Sequence, residues 1–201
     1  MTQLLVNAAL ASAPFALWHV ARGAARRREL DLGPTPAAAL LTTSLACAGM
    51  GLGGEPRAGG ALAGIAIAAL TDIRTGYIFN PIVAATLALT AGLAFLSGEL
   101  VDAFAGTCAT VLPMFVLWVL SRHRGLGLGD VKLAGILGAG LGTANGLYAL
   151  AAAFVVGGSV ATLLIAARRA RLGSHLRFGP YLLAGTLLAV AYHRLNAGVI
   201  P

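Results

Sequence analysis

The chain has 201 residues, of which 58% are hydrophobic and 10% charged, and its formal net charge is +7. Soluble domains carry roughly 25% charged residues, and a fold of this length cannot hide so much apolar surface from water, so the composition excludes an ordinary soluble domain. The positive charge does not make a nucleic-acid binder either: the basic residues are spread over several short loops, which suits membrane orientation better than a groove for phosphates.

In chain order, apolar segments fall at about residues 3–21, 36–53, 58–71, 81–97, 102–120, 131–144, 145–167 and 180–195. Polar or glycine-rich breakers such as "RGAARRREL", "GGEPR", "DIRTGYIFNP" and "SRHRGLGLGD" separate them. The reading is all-α: one integral-membrane domain over residues 1–201, with about eight transmembrane helices. The third and sixth segments are shorter than the ~20 residues that a perpendicular span requires. No basic residue precedes the first apolar run and the arginine cluster follows it, so that run reads as a retained first span with its start outside, not as a signal peptide. Alternation from there puts Arg22, Arg26, Arg27, Arg28, Arg74, Arg122, Arg124, Lys132, Arg168, Arg169, Arg171 and Arg177 inside, and only Arg57 and Arg194 outside. Twelve of the fourteen positive charges on one side is a strong positive-inside signal.

The segments are rich in Gly and Ala. Gly138 and Gly142 form a GxxxG, and Ala134 with Gly138 and Gly60 with Gly64 form similar pairs. Such residues let helix backbones approach closely in lipid. Cys47 and Cys108 stand alone in apolar segments and read as small buried hydrophobes. His19, His123, His175 and His193 are scattered and form no HxxxH pattern, so no metal site is expected.

Seven acids are present. Glu29, Asp31, Glu55, Glu99 and Asp102 lie in loops with water in reach, Asp102 also being placed to cap the fifth helix. Asp72 and Asp130 differ, because one ends the third segment and the other begins the sixth. In the alternating topology both lie at the inside end of their helices. A carboxylate at a membrane boundary is costly unless hydrated or paired, and is a functional candidate by default. Two carboxylates in close contact share a proton, so one takes a proton from water while the other donates to a carbonyl oxygen, as in aspartic proteases. In Gly125-Leu126-Gly127-Leu128-Gly129-Asp130 alternate positions lack a side chain, so a substrate strand could lie along that backbone, and glycine also permits unusual dihedrals ahead of the helix. The alternative is a flexible turn. No phosphate loop is expected, since no GK[ST] follows.

"GLGLGDVKLAGILGAGLG" resembles the GxGD segment of the type IV prepilin leader peptidases, which are membrane aspartic proteases. "TDIRTGYIFN" resembles that family's first aspartate segment, and "RFGPYLLAG" its Phe-Gly-Pro segment. The resemblance covers roughly residues 55–190, in the right order. It implies a GxGD-type fold and removal of a short basic leader from prepilin-like proteins, just after a glycine, at the cytoplasmic face of a bacterial inner membrane. It also implies Asp72 and Asp130 as the catalytic pair, with Gly127, Gly129, Lys132, Gly179 and Pro180 as matching motif positions. Two departures stand out. Phe79 replaces the family's usual proline before Asn80, although Asn80-Pro81 still makes a cap and first-turn pair. The zinc-binding cytoplasmic insertion of larger members has no counterpart in residues 22–35, so neither structural zinc nor a cofactor is expected, and N-methylation of the product is in doubt. The compact form resembles the single-function peptidases of tight-adherence pilus systems.

Two roles stay open for Arg74, orienting Asp72 or anchoring the inside rim. Lys132 either reaches toward headgroups or eases the charge cost of the acid pair. Arg122, His123 and Arg124 read as headgroup contacts. The partners expected are a prepilin-like substrate and the bilayer, with no nucleic acid. The competing readings are a small proton- or cation-coupled transporter, against which no inverted repeat is visible, and an inactive scaffold subunit of a pilus assembly.

Overall fold

The computed structural model describes residues 2–121, 126–169 and 177–197. They form helices α1 (Thr2–Arg26), α2 (Ala37–Leu52), α3 (Pro56–Thr75), α4 (Asn80–Leu96), α5 (Leu100–Leu120), α6 (Leu128–Ala166) and α7 (Gly179–Ala197). Three helices, Gln3–Arg26, Leu100–Leu120 and Leu128–Ala166, are long and apolar enough to cross a membrane, and Ala37–Gly51 and Asn80–Leu96 are apolar but shorter.

The third segment is longer than its hydropathy suggested. Pro56 starts α3 in a first turn that spares no N–H, and Gly76, at φ 69°, ends it with an N–H bond of 2.8 Å to the Asp72 carbonyl. Nearly every residue from Ala58 to Asp72 is buried. This helix is the centre of the bundle, packed against α1, α2, α4, α6 and α7. Its Ala and Gly residues explain both facts. They are weakly hydrophobic, so the hydropathy signal is low, and they are small, so five neighbours can close on one axis. Gly64 lies directly under Thr86 of α4, and Gly60 under Leu93, where an added Cβ would sit 3.0 Å from Leu93 Cδ1.

The expected division near residues 144 and 145 falls at Gly142, where α6 is broken by a φ of 72° and a ψ of −173°. That combination is essentially restricted to glycine. Beyond it the chain turns back: a Cβ added to Gly146 would lie 3.1 Å from the Gly138 Cα, whereas a straight helix would separate the two by about 12 Å. Gly142 is therefore a break as well as half of the packing GxxxG that the spacing suggested, since a Cβ added to Gly106 of α5 would also lie 2.7 Å from the Gly142 carbonyl carbon. Gly138 does pack, backbone against backbone, on Gly106 of α5. The Thr110 hydroxyl beside them donates to the Ala134 carbonyl at 2.6 Å, fastening α5 to α6.

Asp102 does not cap α5, whose N-cap is Glu99. Its carboxylate lies over Gly142 and accepts from Arg57 at 3.1 Å, while Glu99 accepts from the same guanidinium at 2.8 Å. Gly142→Ala is expected to cost about 1–3 kcal/mol for the backbone alone, with the Asp102 contact added. A lower melting temperature in detergent than that of Gly158→Ala, where a Cβ meets nothing within 4 Å, checks it.

Candidate active site

Asp72 lies in the last turn of α3 and is 5% exposed. A helix C-terminus is a poor place for a negative charge, and another helix offsets this. The α7 N-terminus points at Asp72, and the Gly179 N–H donates to its Oδ2 at 3.1 Å. Pro180 sits in the first turn, where a missing N–H leaves nothing unpaired. Gly179 also has no room for a side chain: an added Cβ would be 2.9 Å from Asp72 Oδ2 and 3.4 Å from the Ala69 Cα.

Asp130 is the mirror case. It stands in the first turn of α6, where a carboxylate is favoured, and is 8% exposed. Its Oδ2 accepts the Gly127 N–H at 3.2 Å, the return half of a capping box. Gly127 has ordinary extended dihedrals, φ −83° and ψ 145°, so no unusual backbone is involved. Its constraint is space, since a Cβ there would be 3.3 Å from the Asp130 carboxylate. Gly129 packs on Ile78, whose Cβ and Cδ1 would both be 3.0 Å from an added Cβ. Because α6 already begins at Leu128, Leu128 and Gly129 belong to a helical turn and offer no open strand edge. Gly125 lies outside the described residues.

α3 and α6 pack together, and Gly129, next to Asp130, sits on Ile78 in the connection that follows the Asp72 end of α3. Two buried acids from distant parts of the chain thus stand at the same end of the bundle, each held by a glycine N–H. The family model of the type IV leader peptidase family matches residues 61–162, which include both. The chain belongs to the type IV leader peptidase family. No curated protein and no solved structure matches it. The matched stretch is narrower than the 55–190 of the sequence resemblance and stops before α7, so the Gly179 contact on Asp72 comes from outside it.

The other residues singled out for this family member divide into those at the acids and those away from them. Arg74 does not face Asp72. It donates to the carbonyls of Leu32 and, at 2.8 Å, Pro34, and its guanidinium lies 5.4 Å from the Trp18 ring centre. It therefore pins the α1–α2 connection to α3. Lys132 is turned to Asn80, whose Oδ1 accepts from Nζ at 2.9 Å, joining α6 to α4. Asn80 consequently does not cap α4. The N-cap is Phe79, buried at 3% exposure, and this apolar anchor occupies the position where the family pattern has proline.

Sequence reading missed Arg177. It donates to the Ile73 carbonyl, next to Asp72, and with Gly179 ties the segment entering α7 to the end of α3. Its adjacency to the Phe-Gly-Pro motif was the available signal. Of the histidines, His193 faces Glu55 at 3.5 Å at the opposite end of the bundle, and His123 and His175 lie outside the described residues, as do Arg122 and Arg124. Among the described residues no group of three or more His, Cys, Asp or Glu side chains is placed to hold a metal ion.

Proposed function

We propose that this chain is an aspartic endopeptidase that removes the basic leader of prepilin-like membrane proteins, with Asp72 and Asp130 as its catalytic pair. What carries the reading is the placing of two buried carboxylates at one end of the bundle, each accepting a glycine N–H, inside the stretch that matches a leader peptidase family. One ionised aspartate takes a proton from water as its oxygen bonds to the scissile carbonyl carbon. The neutral partner gives its proton to the carbonyl oxygen. The tetrahedral species collapses with cleavage of the C–N bond, and the leaving amine takes up a proton from the pair.

Gly179 and Gly127 keep the two side chains in fixed directions during this exchange, and Gly129 seats the start of α6 on Ile78. Lys132, Asn80, Arg74 and Arg177 act through the frame at this end: Lys132 and Asn80 tie α6 to α4, Arg177 ties the entry to α7 onto α3, and Arg74 ties the α1–α2 connection onto α3. The charge pattern supports a bacterial cytoplasmic membrane protein with its N-terminus outside and eight passes, α6 contributing two. Arg28, Arg74, Lys132 and Arg177 gather at the aspartate end, whereas Glu55, Glu99 and Asp102 stand with Arg57 and Arg194 at the other. Residues 27–36 are the whole connection between α1 and α2, so N-methylation of the product is not part of the proposal.

The test is cleavage of a prepilin-like precursor by the purified chain in lipid vesicles, scored by terminal sequencing of the product. A new terminus just after the leader glycine is expected. An uncut precursor, together with cation or proton uptake that depends on Asp72, would instead favour a transporter. Because the mechanism uses carboxylates alone, adding EDTA is expected to leave the cleavage rate unchanged, and a rate restored only by added metal would contradict it.

A further inference from the structure

A second feature lies beside Asn80. The last turns of α1 and the start of α4 enclose a groove of about 480 Å³, lined by Val20, Gly23, Ala24, Arg27, Arg28, Phe79, Asn80 and Pro81. Its walls differ in character along its length. Val20, Ala24 and Pro81 are apolar and lie toward the body of α1, a helix long and apolar enough to cross a membrane. Arg27 and Arg28 form the rim, and both are exposed. None of the ion pairs among the described residues involves either arginine, or Lys132. Lys132, exposed and held on Asn80, adds a third cation beside the groove. Arg28 is steadied over the Tyr77 ring at 5.6 Å, a half-exposed aromatic of the kind found at headgroup level. Of the two acids that follow α1, Asp31 accepts the Gly33 N–H at 2.8 Å, and neither Asp31 nor Glu29 takes part in the ion pairs among the described residues.

We propose that this groove binds the headgroup of an anionic phospholipid, its phosphodiester on Arg27 and Arg28 and its glycerol and upper acyl carbons along Val20, Ala24 and Pro81. Guanidinium forks match phosphate oxygens. The apolar walls decide for a lipid over a soluble anion, which would make no use of them. Gly23 keeps the floor open, since an added Cβ there meets nothing within 4 Å.

The experiment is native mass spectrometry of the full chain in neutral detergent with equal amounts of dioleoyl phosphatidylglycerol and phosphatidylcholine. The chain is expected to retain the anionic lipid in preference to the neutral one. Arg27→Gln with Arg28→Gln is expected to lower that preference roughly tenfold or more, on the scale of juxtamembrane basic residues. Gly23→Leu keeps both charges but fills the groove, and should lose the lipid as well. Arg168→Gln with Arg169→Gln, at the end of α6, should retain it. No preference in the wild type, or full preference in Gly23→Leu, overturns the proposal. Equal loss in the Arg168 and Arg169 variant would reveal diffuse attraction instead of a site, and displacement by millimolar inorganic phosphate would reveal a soluble-anion site. None of these readouts depends on peptidase activity.

Discussion

Asp72→Asn and Asp130→Asn are each expected to leave a prepilin-like precursor at full length, with the rate lowered by roughly 10³-fold or more. General acid–base catalysis alone contributes about 10²–10⁴-fold, and in a two-acid mechanism one substitution removes both the base and the shared proton. Asparagine keeps the shape and an oxygen that can accept the Gly179 or Gly127 N–H at 3.1 and 3.2 Å. Replacement also removes a buried charge. Both variants should therefore insert and melt like the wild type. Immunoblots of precursor and product, with melting curves on the same preparations, check the two halves of this prediction. Normal processing by either variant would remove that aspartate from the mechanism.

Gly179→Ala is expected to slow cleavage by about 10–100-fold, the scale on which a misplacement of around 1 Å acts. The added methyl would stand 2.9 Å from Asp72 Oδ2 and 3.2 Å from Asp72 Cβ, with the Ala69 backbone behind it. Neither α3 nor α7 can yield cheaply, because α3 is buried on nearly all sides. The carboxylate must swing away and lengthen its bond to the Gly179 N–H. The loss should fall on kcat and leave KM nearly unchanged, since the methyl points at the acid and not at the bilayer-facing surface. Gly158→Ala, in open space, should be neutral by the same assay. Equal rates for Gly179→Ala and the wild type would mean that Asp72 is not held from α7.

How much of this was legible in the sequence follows from how far apart the partners lie. The acids could be paired from hydropathy and alternation, because each sits at a boundary between an apolar run and a glycine-rich turn. Small residues at Gly60, Gly64 and Gly138 announced tight packing, and they do pack. Gly142 shares their spacing and packs on Gly106 as well, but it is also the break, a second role that depends on a dihedral angle and not on residue type. The centrality of α3 was hidden because alanine and glycine give little hydropathy. The directions of long side chains were not legible at all. Arg74 reaches carbonyls 40 and 42 residues back, Lys132 an amide 52 residues away, and Arg57 a carboxylate 45 residues on. Arg74 and Lys132 stand two residues from Asp72 and Asp130 in the sequence, yet the fold turns both elsewhere. The family match did not reach the Phe-Gly-Pro segment, and only the folded chain joined Gly179 to Asp72.

The most direct measurement of the central claim is the cleavage rate of the variant carrying both Asp72→Asn and Asp130→Asn, set beside each single variant on one purified precursor. Groups that act as a unit are strongly non-additive. The double variant is therefore predicted to be no slower than the slower of the singles. A loss equal to the product of the two single losses would mean that the carboxylates work independently and would contradict the shared site.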